Sequence, residues 1–189
     1  MNTTIIDANS YVPQKSDKLF FDCNTLMYIF YTFGNYQNAD RQTYSRIFTD
    51  AIRNEAQLFV PSIFLSEFSN TYIRSEYKRY LYNNHFRPNN FPFKTGYKAT
   101  DDYKTTVQDV KNIILNQILA VCKKLDDPFT SLDISSMFDN EDTFDFNDRY
   151  YSLLAKHYDL KIVTNDADFS SISGISIITR NNALLNTTH

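Results

Sequence analysis

Four short apolar segments, separated by longer stretches of helical character, most constrain the fold of this chain. The segments cover residues 18–21, 57–61, 161–164 and 175–178. Each has the length of a buried strand, and the alternation of short strands with helices is typical of α/β proteins with parallel sheets. We therefore predict an α/β fold with a mainly parallel central sheet of about four to five short strands, flanked by helices.

Helices are expected in the stretches between these strands. The predicted spans are 24–33, about 40–54, a helix that starts at 62, 101–125 and about 148–158. Ser62 is a candidate N-cap, and residues 84–99 are expected to form a loop because they contain Pro88, Pro92 and Gly96. In 101–125 apolar side chains recur at helical spacing. They are Val107, Val110, Ile114, Ile118, Val121 and Leu125.

The length of 189 residues and the hydrophobic content of 42% suit one globular domain. No internal repeat or low-complexity linker divides the sequence. We predict an N-terminal tail (1–17), a domain (18–180) with an elaboration at about 74–145, and a C-terminal tail (181–189). These boundaries follow from the position of the first and last predicted strands.

The sequence also indicates a cellular compartment. Its apolar runs are shorter than the roughly 18–20 residues of a membrane span, and the N-terminus lacks the pattern of a secretory signal. Cys23 and Cys122 are the only cysteines, too few for a disulfide framework or a cysteine-rich metal site. We expect a soluble cytoplasmic protein with reduced thiols and no membrane association.

Charge is unevenly distributed, although the formal net charge is only −3. Residues 74–98 carry six Lys or Arg, one acid and seven Tyr or Phe, whereas residues 126–148 carry eight acids and no Lys or Arg. The first segment has the composition of a nucleic-acid-binding surface. The acidic loop 126–145 is expected to be a solvated, mobile connection; a role in covering the basic segment is the alternative.

Acidic residues follow three of the predicted strands. Asp22 follows the first strand, Glu67 lies early in the helix after the second, and Asp166 follows the third. Ligands of open α/β sheets bind beyond the carboxyl ends of the strands, where these side chains converge if the strands are parallel. Asp148, at a helix start, can face the same edge. Converging carboxylates need a cation, and an all-oxygen ligand set favours Mg²⁺ or Mn²⁺.

Each acid also has a purely structural interpretation. Asp22 can cap the helix that follows it, and Glu67 can be a solvated helix residue. Asp145 and Asp148 can cap a helix or interact with its dipole, and the segment around Asp166 can be an ordinary turn. The joint placement of the acids at strand ends, rather than any one residue, favours a metal site.

Three motifs carry a resemblance to a known family. FFDCNTLMY (20–28), VPSIFLSEF (60–68) and FNDRYYSLLAKHYDLKIVTNDADF (146–169) resemble the successive motifs of PIN-domain nucleases, including VapC-type toxins. The last motif is the most specific, with Asp148 and Asp166 separated by 18 residues. Two features depart from compact toxin members: Tyr150 and Tyr151 stand in a usually Ala-rich helix, and 81 residues separate Glu67 from Asp148.

The resemblance implies a metal-dependent endoribonuclease that hydrolyses RNA phosphodiester bonds with Mg²⁺ or Mn²⁺. The implied catalytic and metal-binding residues are Asp22, Glu67, Asp148 and Asp166, with Asp168 as a further metal ligand. Asn24 and Thr164 have supporting polar roles. The family also includes toxins held by antitoxins and proteins that form homodimers, so both kinds of partner are expected.

Residues 74–98 are a candidate RNA-contacting arm. The residues that can contact phosphates are Arg74, Lys78, Arg79, Arg87, Lys94 and Lys98. The aromatic residues that can stack on bases are Tyr82, Phe86, Phe91 and Tyr97. The alternative, favoured for the aromatic residues, is that they pack a helical hairpin; for the charges, RNA contact and simple solvation are both open.

Two other functions are compatible with the sequence. One is a catalytically silent PIN-like module that binds RNA or protein. The other is a haloacid-dehalogenase-type phosphatase, because Asp22 follows a strand as the nucleophile of that family does. Asn24 argues against the phosphatase, since it stands where that family has an acid and cannot donate a proton in that role.

Overall fold

The computed structural model describes residues 3–138 and 145–186, and within them the strands form one six-stranded, all-parallel sheet. Its spatial order is β1-β6-β5-β2-β3-β4. The strands are β1 Thr4–Asp7, β2 Lys18–Phe21, β3 Gln57–Pro61, β4 Lys123–Leu125, β5 Lys161–Val163 and β6 Ser176–Thr179. The α/β prediction with a parallel sheet is confirmed, and the four predicted strands are the four central ones.

The two further strands are the edges of the sheet. β1 pairs with β6, with Thr4 opposite Ser176, and β4 pairs with β3, with Phe59 opposite Lys123. Residues 4–7, predicted as part of a tail, are therefore a strand. The other predicted domain boundaries remain a prediction. Edge strands are weakly marked in sequence because solvent on one side removes the need for a continuous apolar run.

The helices lie in connections between strands and after the last strand. They are α1 Cys23–Phe30, α2 Asn38–Arg53, α3 Ser62–Asn83, α4 Asp101–Ile113, α5 Leu119–Val121, α6 Phe146–Tyr158 and α7 Asn182–Leu185. A π-helical segment, Ile114–Ile118, joins α4 to α5. The predicted helix 101–125 was too long, because Leu125 belongs to β4. The predicted Ser62 cap was also wrong, since Ser62 is the first residue of α3 and Pro61 precedes it without a side-chain cap.

Strand order brings the ends of three strands together. β5, β2 and β3 are neighbours and run parallel, so their carboxyl ends lie side by side at one edge. Asp22 directly follows β2, Thr164 directly follows β5, and α3 starts directly after β3. This edge, which we call the carboxyl edge, holds the candidate site.

The main core packs α1, α2, α3 and α6 against the sheet through large apolar side chains. Phe20 of β2 packs edge-to-face on Phe64, with ring centroids 6.1 Å apart, and lies 4.8 Å from the ring of Tyr151. Tyr44 is fully buried, and its hydroxyl donates to the Thr164 carbonyl at 3.1 Å. These contacts hold β2, β5 and α6 in fixed positions around the carboxyl edge.

A second, smaller apolar cluster surrounds the far end of α3. Tyr77, Leu81 and Tyr97 form its buried centre, and Phe91 and Phe93 pack against it. The favoured alternative for the aromatic residues of 74–98, that they pack against one another, holds for Tyr97. Its side chain is 1% exposed and inaccessible to a nucleic-acid base.

The described part of the acidic loop is anchored. Short 3-10 turns occupy Phe129–Ser131 and Ile134–Phe138, and Met137 is buried against Tyr150 and Leu154 of α6. Most of residues 126–138 are solvent-accessible, as expected, and Met137 attaches this part of the loop to α6; its mobility stays a prediction. Residues 139–144 of the loop lie outside the described residues.

Two smaller expectations concern the thiols and the membrane. Cys23 and Cys122 are both free and buried. Among the described residues, no helix combines the length and the apolar character that crossing a bilayer requires.

Asp17 links the N-terminal segment to the sheet, and its replacement by Asn should destabilise the protein. The carboxylate accepts hydrogen bonds from Lys161 Nζ at 2.6 Å, the Tyr11 hydroxyl at 2.6 Å and the Gln14 amide at 2.8 Å. Burial acts to raise the pKa of Asp17, but these partners outweigh it, and the pKa lies below its ordinary value. We expect Asp17→Asn to lower the free energy of unfolding by about 2–4 kcal/mol, measured by urea denaturation at pH 7.

The pH dependence has a defined sign. Since the folded pKa is lowered, the contribution of Asp17 is complete above its unfolded pKa of about 3.9 and disappears as pH falls through the folded value. The matched control is Lys15→Gln, which breaks the exposed pair with Glu55 and should have a much smaller effect on the free energy of unfolding, because solvent screens that pair. Equal effects of the two substitutions would contradict the assignment.

Candidate metal centre

Asp22 lies at the centre of the carboxyl edge. It is 2% exposed, and its Oδ2 accepts a hydrogen bond from the Thr164 hydroxyl at 2.8 Å. Asp22 occupies the N-cap position of α1 but makes no side-chain capping hydrogen bond. The capping interpretation therefore fails for this side chain, which points to the neighbouring strand end instead.

Asp166 is held by two residues predicted to have supporting roles. Asn24 Nδ2 donates to Asp166 Oδ2 at 3.1 Å, and the Asp166 amide donates to the Thr164 hydroxyl oxygen at 3.0 Å. The other carboxylate oxygen of Asp166 accepts from the Asp168 amide at 3.0 Å, so the turn interpretation also applies. Thr164 thus connects Asp22 and Asp166 through one hydroxyl group.

Three carboxylates come close enough to share a cation. One oxygen each of Asp148, Asp166 and Asp168 lies within 4.8 Å of the others. Asp148 stands in the first turn of α6, whose N-cap is Asp145; the Asp145 carboxylate accepts from the Asp148 amide at 3.2 Å. The capping role therefore belongs to Asp145, which leaves the Asp148 side chain free to face the other acids.

Glu67 faces the same site from α3. Its carboxylate accepts a hydrogen bond from the Tyr151 hydroxyl, and Tyr151 is fully buried. Burial raises the pKa of Glu67, and the negative charge of Asp145 adds to that effect. Asp22 and Glu67 are outside the group of three carboxylates within 4.8 Å, but both raise the pKa of Asp148 through their charges.

Burial and mutual repulsion make this site hold protons strongly. Burial, with the charges of Glu67 and Asp166, raises the pKa of Asp22 to about 7, although the Thr164 hydrogen bond opposes it. Burial, followed by the charges of Asp22, Asp145, Asp166 and Glu67, raises the pKa of Asp148 to about 8. In the absence of a cation, Asp22 and Asp148 therefore keep their protons up to near-neutral pH, because burial and the neighbouring negative charges disfavour their charged forms.

The donor set fits a hard divalent cation. All the converging ligand atoms are carboxylate oxygens, the type that Mg²⁺ and Mn²⁺ prefer. Asp148, Asp166 and Asp168 supply the closest group, and Asp22 adds a buried carboxylate next to it. A cation would relieve the repulsion that raises the pKa values of Asp22 and Asp148.

The six basic residues predicted to bind substrate have different environments. Arg79 is bound to the buried carboxylate of Glu76, with Nε 3.0 Å from each oxygen, and lies over the Phe33 ring. Arg74 and Lys98 lie over the Phe93 ring, at 3.7 and 5.5 Å from its centroid. The other three are exposed on the surface. They are Lys78, Arg87 and Lys94.

The four aromatic residues of the predicted arm also differ. Tyr97 is buried, whereas Tyr82 is 81% exposed and Phe86 is 42% exposed. Phe86 stacks on Phe91, with centroids 4.7 Å apart. Of these four aromatic residues, only Tyr82 and Phe86 are therefore exposed.

Tyr151 contacts the acidic site through Glu67, and the sequence prediction did not include it among the site residues. It lies three residues after Asp148 on α6, so both side chains are on the same helix face, toward the carboxyl edge. This i, i+3 spacing was visible in the sequence. The aromatic side chain, however, was noted there only as a departure from an Ala-rich helix.

Replacing Tyr151 by Phe should weaken metal binding without removing a ligand. The substitution deletes the hydrogen bond that orients Glu67, and losses of this kind typically lower metal affinity 10- to 100-fold. The dissociation constant of Mn²⁺, measured by calorimetry, is the readout. Tyr150→Phe is the matched control: its hydroxyl donates to Asp127, outside the site. Equal Mn²⁺ affinities for the two variants would contradict this role of Tyr151.

Comparison with known proteins gives one result that covers most of the chain. No curated protein sequence matches it. The family model described as "PIN domain" matches residues 20–175, which run from the second half of β2 past β5 and include all five acids of the site. The chain therefore belongs to the PIN-domain family, whose members are in general metal-dependent nucleases.

Proposed function

We propose that this protein is a Mg²⁺- or Mn²⁺-dependent endoribonuclease. The observation that carries the proposal is the convergence of acids from three neighbouring parallel strand ends and from α6, with the pKa values of Asp22 and Asp148 raised to about 7 and 8. A site of this kind is unfavourable without a cation and suited to binding one. Such a site supports phosphodiester hydrolysis better than binding alone.

Each residue has a defined role in the proposal. Asp148, Asp166 and Asp168 hold the cation, with Asp22 as a further ligand, and Glu67 completes the acidic site. Thr164 orients Asp22, and Asn24 orients Asp166. When bound, the cation would acidify a water molecule and offset the charge of the phosphodiester. The haloacid-dehalogenase alternative is not retained, since the family match is to the PIN domain and Asn24 is engaged with Asp166.

The remaining parts of the proposal concern substrate and partners. RNA is the substrate, and Lys78, Arg87 and Lys94 are the arm residues most available to contact its phosphates, because they are exposed and, unlike Arg74, Arg79 and Lys98, lie over no ring of the described residues. A VapC-like toxin role with an antitoxin, a homodimer and a cytoplasmic location belong to the same proposal. They rest on the resemblance of the motifs.

Cleavage of end-labelled total cellular RNA by the purified protein tests the proposal. We expect cutting with Mn²⁺ or Mg²⁺ and none with EDTA. Cutting that persists in EDTA would contradict a metal-dependent reaction. No cutting by folded protein that binds Mn²⁺ would support a silent PIN-like module instead.

A further inference from the structure

A polar groove of about 240 Å³ lies along α6, beside the acidic site. Its walls come from α6, from the 3-10 turn Ile134–Phe138 and from the 3-10 turn Ala167–Ser171 with the residues that follow it. The polar residues that line it are Ser136, Arg149, Ser152, Lys156, Ser171 and Ser173. We call this feature the α6 groove.

The α6 groove is cationic, in contrast to the site beside it. Arg149 and Lys156 are its charged lining residues, and no carboxylate lines it among the residues described. A weak contact joins Arg149 to the Ser171 hydroxyl at 3.4 Å. Neither Arg149 nor Lys156 forms an ion pair with another residue of 3–138 and 145–186.

One end of the α6 groove adjoins the candidate metal ligands. Arg149 is the residue after Asp148, and the Ser171 hydroxyl donates to the Asp168 carbonyl at 3.0 Å. Lys156 is two helical turns further along α6, about 10 Å from Arg149 along the helix axis. The two cations are therefore spaced along a line that starts at the acidic site.

A larger cavity continues this line. It has a volume of about 560 Å³ and shares Lys156 and Ser173 with the α6 groove. Its lining adds Gly174, which precedes β6, and Ser176, the first residue of β6, together with one carboxylate, Asp159. The concave polar surface thus extends beyond Lys156 instead of ending there.

We infer that the α6 groove binds the phosphate backbone of the nucleic-acid strand on one side of the bond to be cut. Guanidinium, ammonium and hydroxyl groups donate hydrogen bonds to phosphate oxygens, and such contacts position a strand without reading its sequence. No aromatic side chain lines the α6 groove, so it offers no platform for base stacking. This inference rests on the proposed nuclease function and assigns a strand path distinct from the 74–98 arm.

The first experiment measures RNA binding by the full chain. A fluorescein-labelled single-stranded oligoribonucleotide is titrated in Ca²⁺ at several salt concentrations, and a gel verifies that the probe is intact. For Arg149→Gln/Lys156→Gln we expect about tenfold weaker binding near 0.1 M salt. The slope of log affinity against log salt should become less steep by about 1.4, the value for two lost phosphate contacts on a single strand.

Two further double variants lose the same charge. The control is Lys111→Gln/Lys124→Gln, which removes two exposed cations, from α4 and β4, and should leave RNA affinity unchanged. The other variant, Lys78→Gln/Lys94→Gln, tests the contribution of the arm to RNA binding. RNA binding by Arg149→Gln/Lys156→Gln that equals that of the Lys111/Lys124 variant would overturn the inference and leave the groove to another anionic ligand, such as an acidic protein segment.

Cleavage kinetics separate failure of the groove from failure of the nuclease. For Lys156→Gln we expect a several-fold higher KM for RNA with kcat nearly unchanged, because Lys156 is two turns from the acids. A fall in kcat without a change in KM would overturn the groove role. Absence of cleavage by the wild-type protein, with or without RNA binding, would instead refute the proposed function.

Discussion

Asp148→Asn should abolish RNA cleavage and, at the same time, stabilise the metal-free protein. Asn keeps the shape of the side chain but removes a charged ligand from the group formed with Asp166 and Asp168. Loss of one such electrostatic element typically lowers a rate about 10²- to 10³-fold, and loss of a metal ligand should reach at least this range. Gel-based initial rates with Mn²⁺ measure the effect.

The stabilising effect has the same physical cause. Burial and four neighbouring carboxylates raise the pKa of Asp148 to about 8, so its charged form is unfavourable in the folded protein. Asn removes that charge, and we expect a higher Tm than wild type in EDTA at pH 8. Sites that carry function commonly cost stability in this way.

Asp102→Asn is the matched control, since Asp102 is an exposed acid on α4. It should change neither the cleavage rate nor the Tm in EDTA by a large amount. Full cleavage activity in Asp148→Asn would remove this residue from the site. A lower Tm in EDTA would show that Asp148 serves as a structural partner instead.

The second large effect is the dependence of metal-free stability on pH. The folded pKa of Asp22 is about 7 and that of Asp148 about 8, both above the ordinary value of 3.8. Between the unfolded and the folded pKa values, the folded state binds more protons than the unfolded state. The free energy of unfolding therefore falls as pH rises from about 4 to 8. At about 1.4 kcal/mol per pKa unit, Asp22 alone accounts for on the order of 4 kcal/mol.

Divalent cations should reverse this trend. A cation bound only to the folded state stabilises it, and the carboxylates must lose their protons to bind it. We therefore expect the increase in Tm on adding Mn²⁺ to be small at pH 5 and roughly 10 °C at pH 8, since 1 kcal/mol corresponds to about 2–4 °C for a domain of this size. Thermal scans in EDTA and in Mn²⁺ across this pH range measure both effects.

Asp22→Asn provides the control for the pH series. It should make the EDTA curve less steep between pH 5 and 7, because Asn cannot titrate and only Asp148 still takes up protons in the folded state. A metal-free Tm that rises with pH over this range would contradict the raised pKa values. An Mn²⁺ effect of equal size at pH 5 and pH 8 would contradict their link to metal binding.

The central part of the fold was predictable because short apolar segments in the sequence mark its strands. The four central strands are three to five residues long and each contains at least two consecutive apolar residues, as strands of a sheet buried on both faces do. β1 and β4 were missed because they are edges: Lys123 and Lys124 are exposed, and the apolar spacing before them suggested a continued helix. Because the edge strands contact solvent, they lack the apolar segment that marks a buried strand.

The basic arm shows what composition leaves undecided. Six cations and seven aromatic residues in 74–98 are equally suited to RNA contact and to packing. In the structure Tyr97 is buried and Arg79 is bound to Glu76, so these two residues take part in internal packing. These assignments depend on contacts of α3 with other segments: Arg79 lies over Phe33, and Tyr77 packs against Tyr97.

The amino-acid sequence by itself determined the α/β class, the central parallel strands and the acids at their ends, because each depends on residue type and spacing along one segment. Only the tertiary structure decided which acids share a cation-sized space, that Tyr151 orients Glu67, and that Arg149 and Lys156 line one groove with serines from two other segments. Those features depend on how separate segments pack against one another. The spacing of residues along one segment does not determine the distances between side chains of different segments.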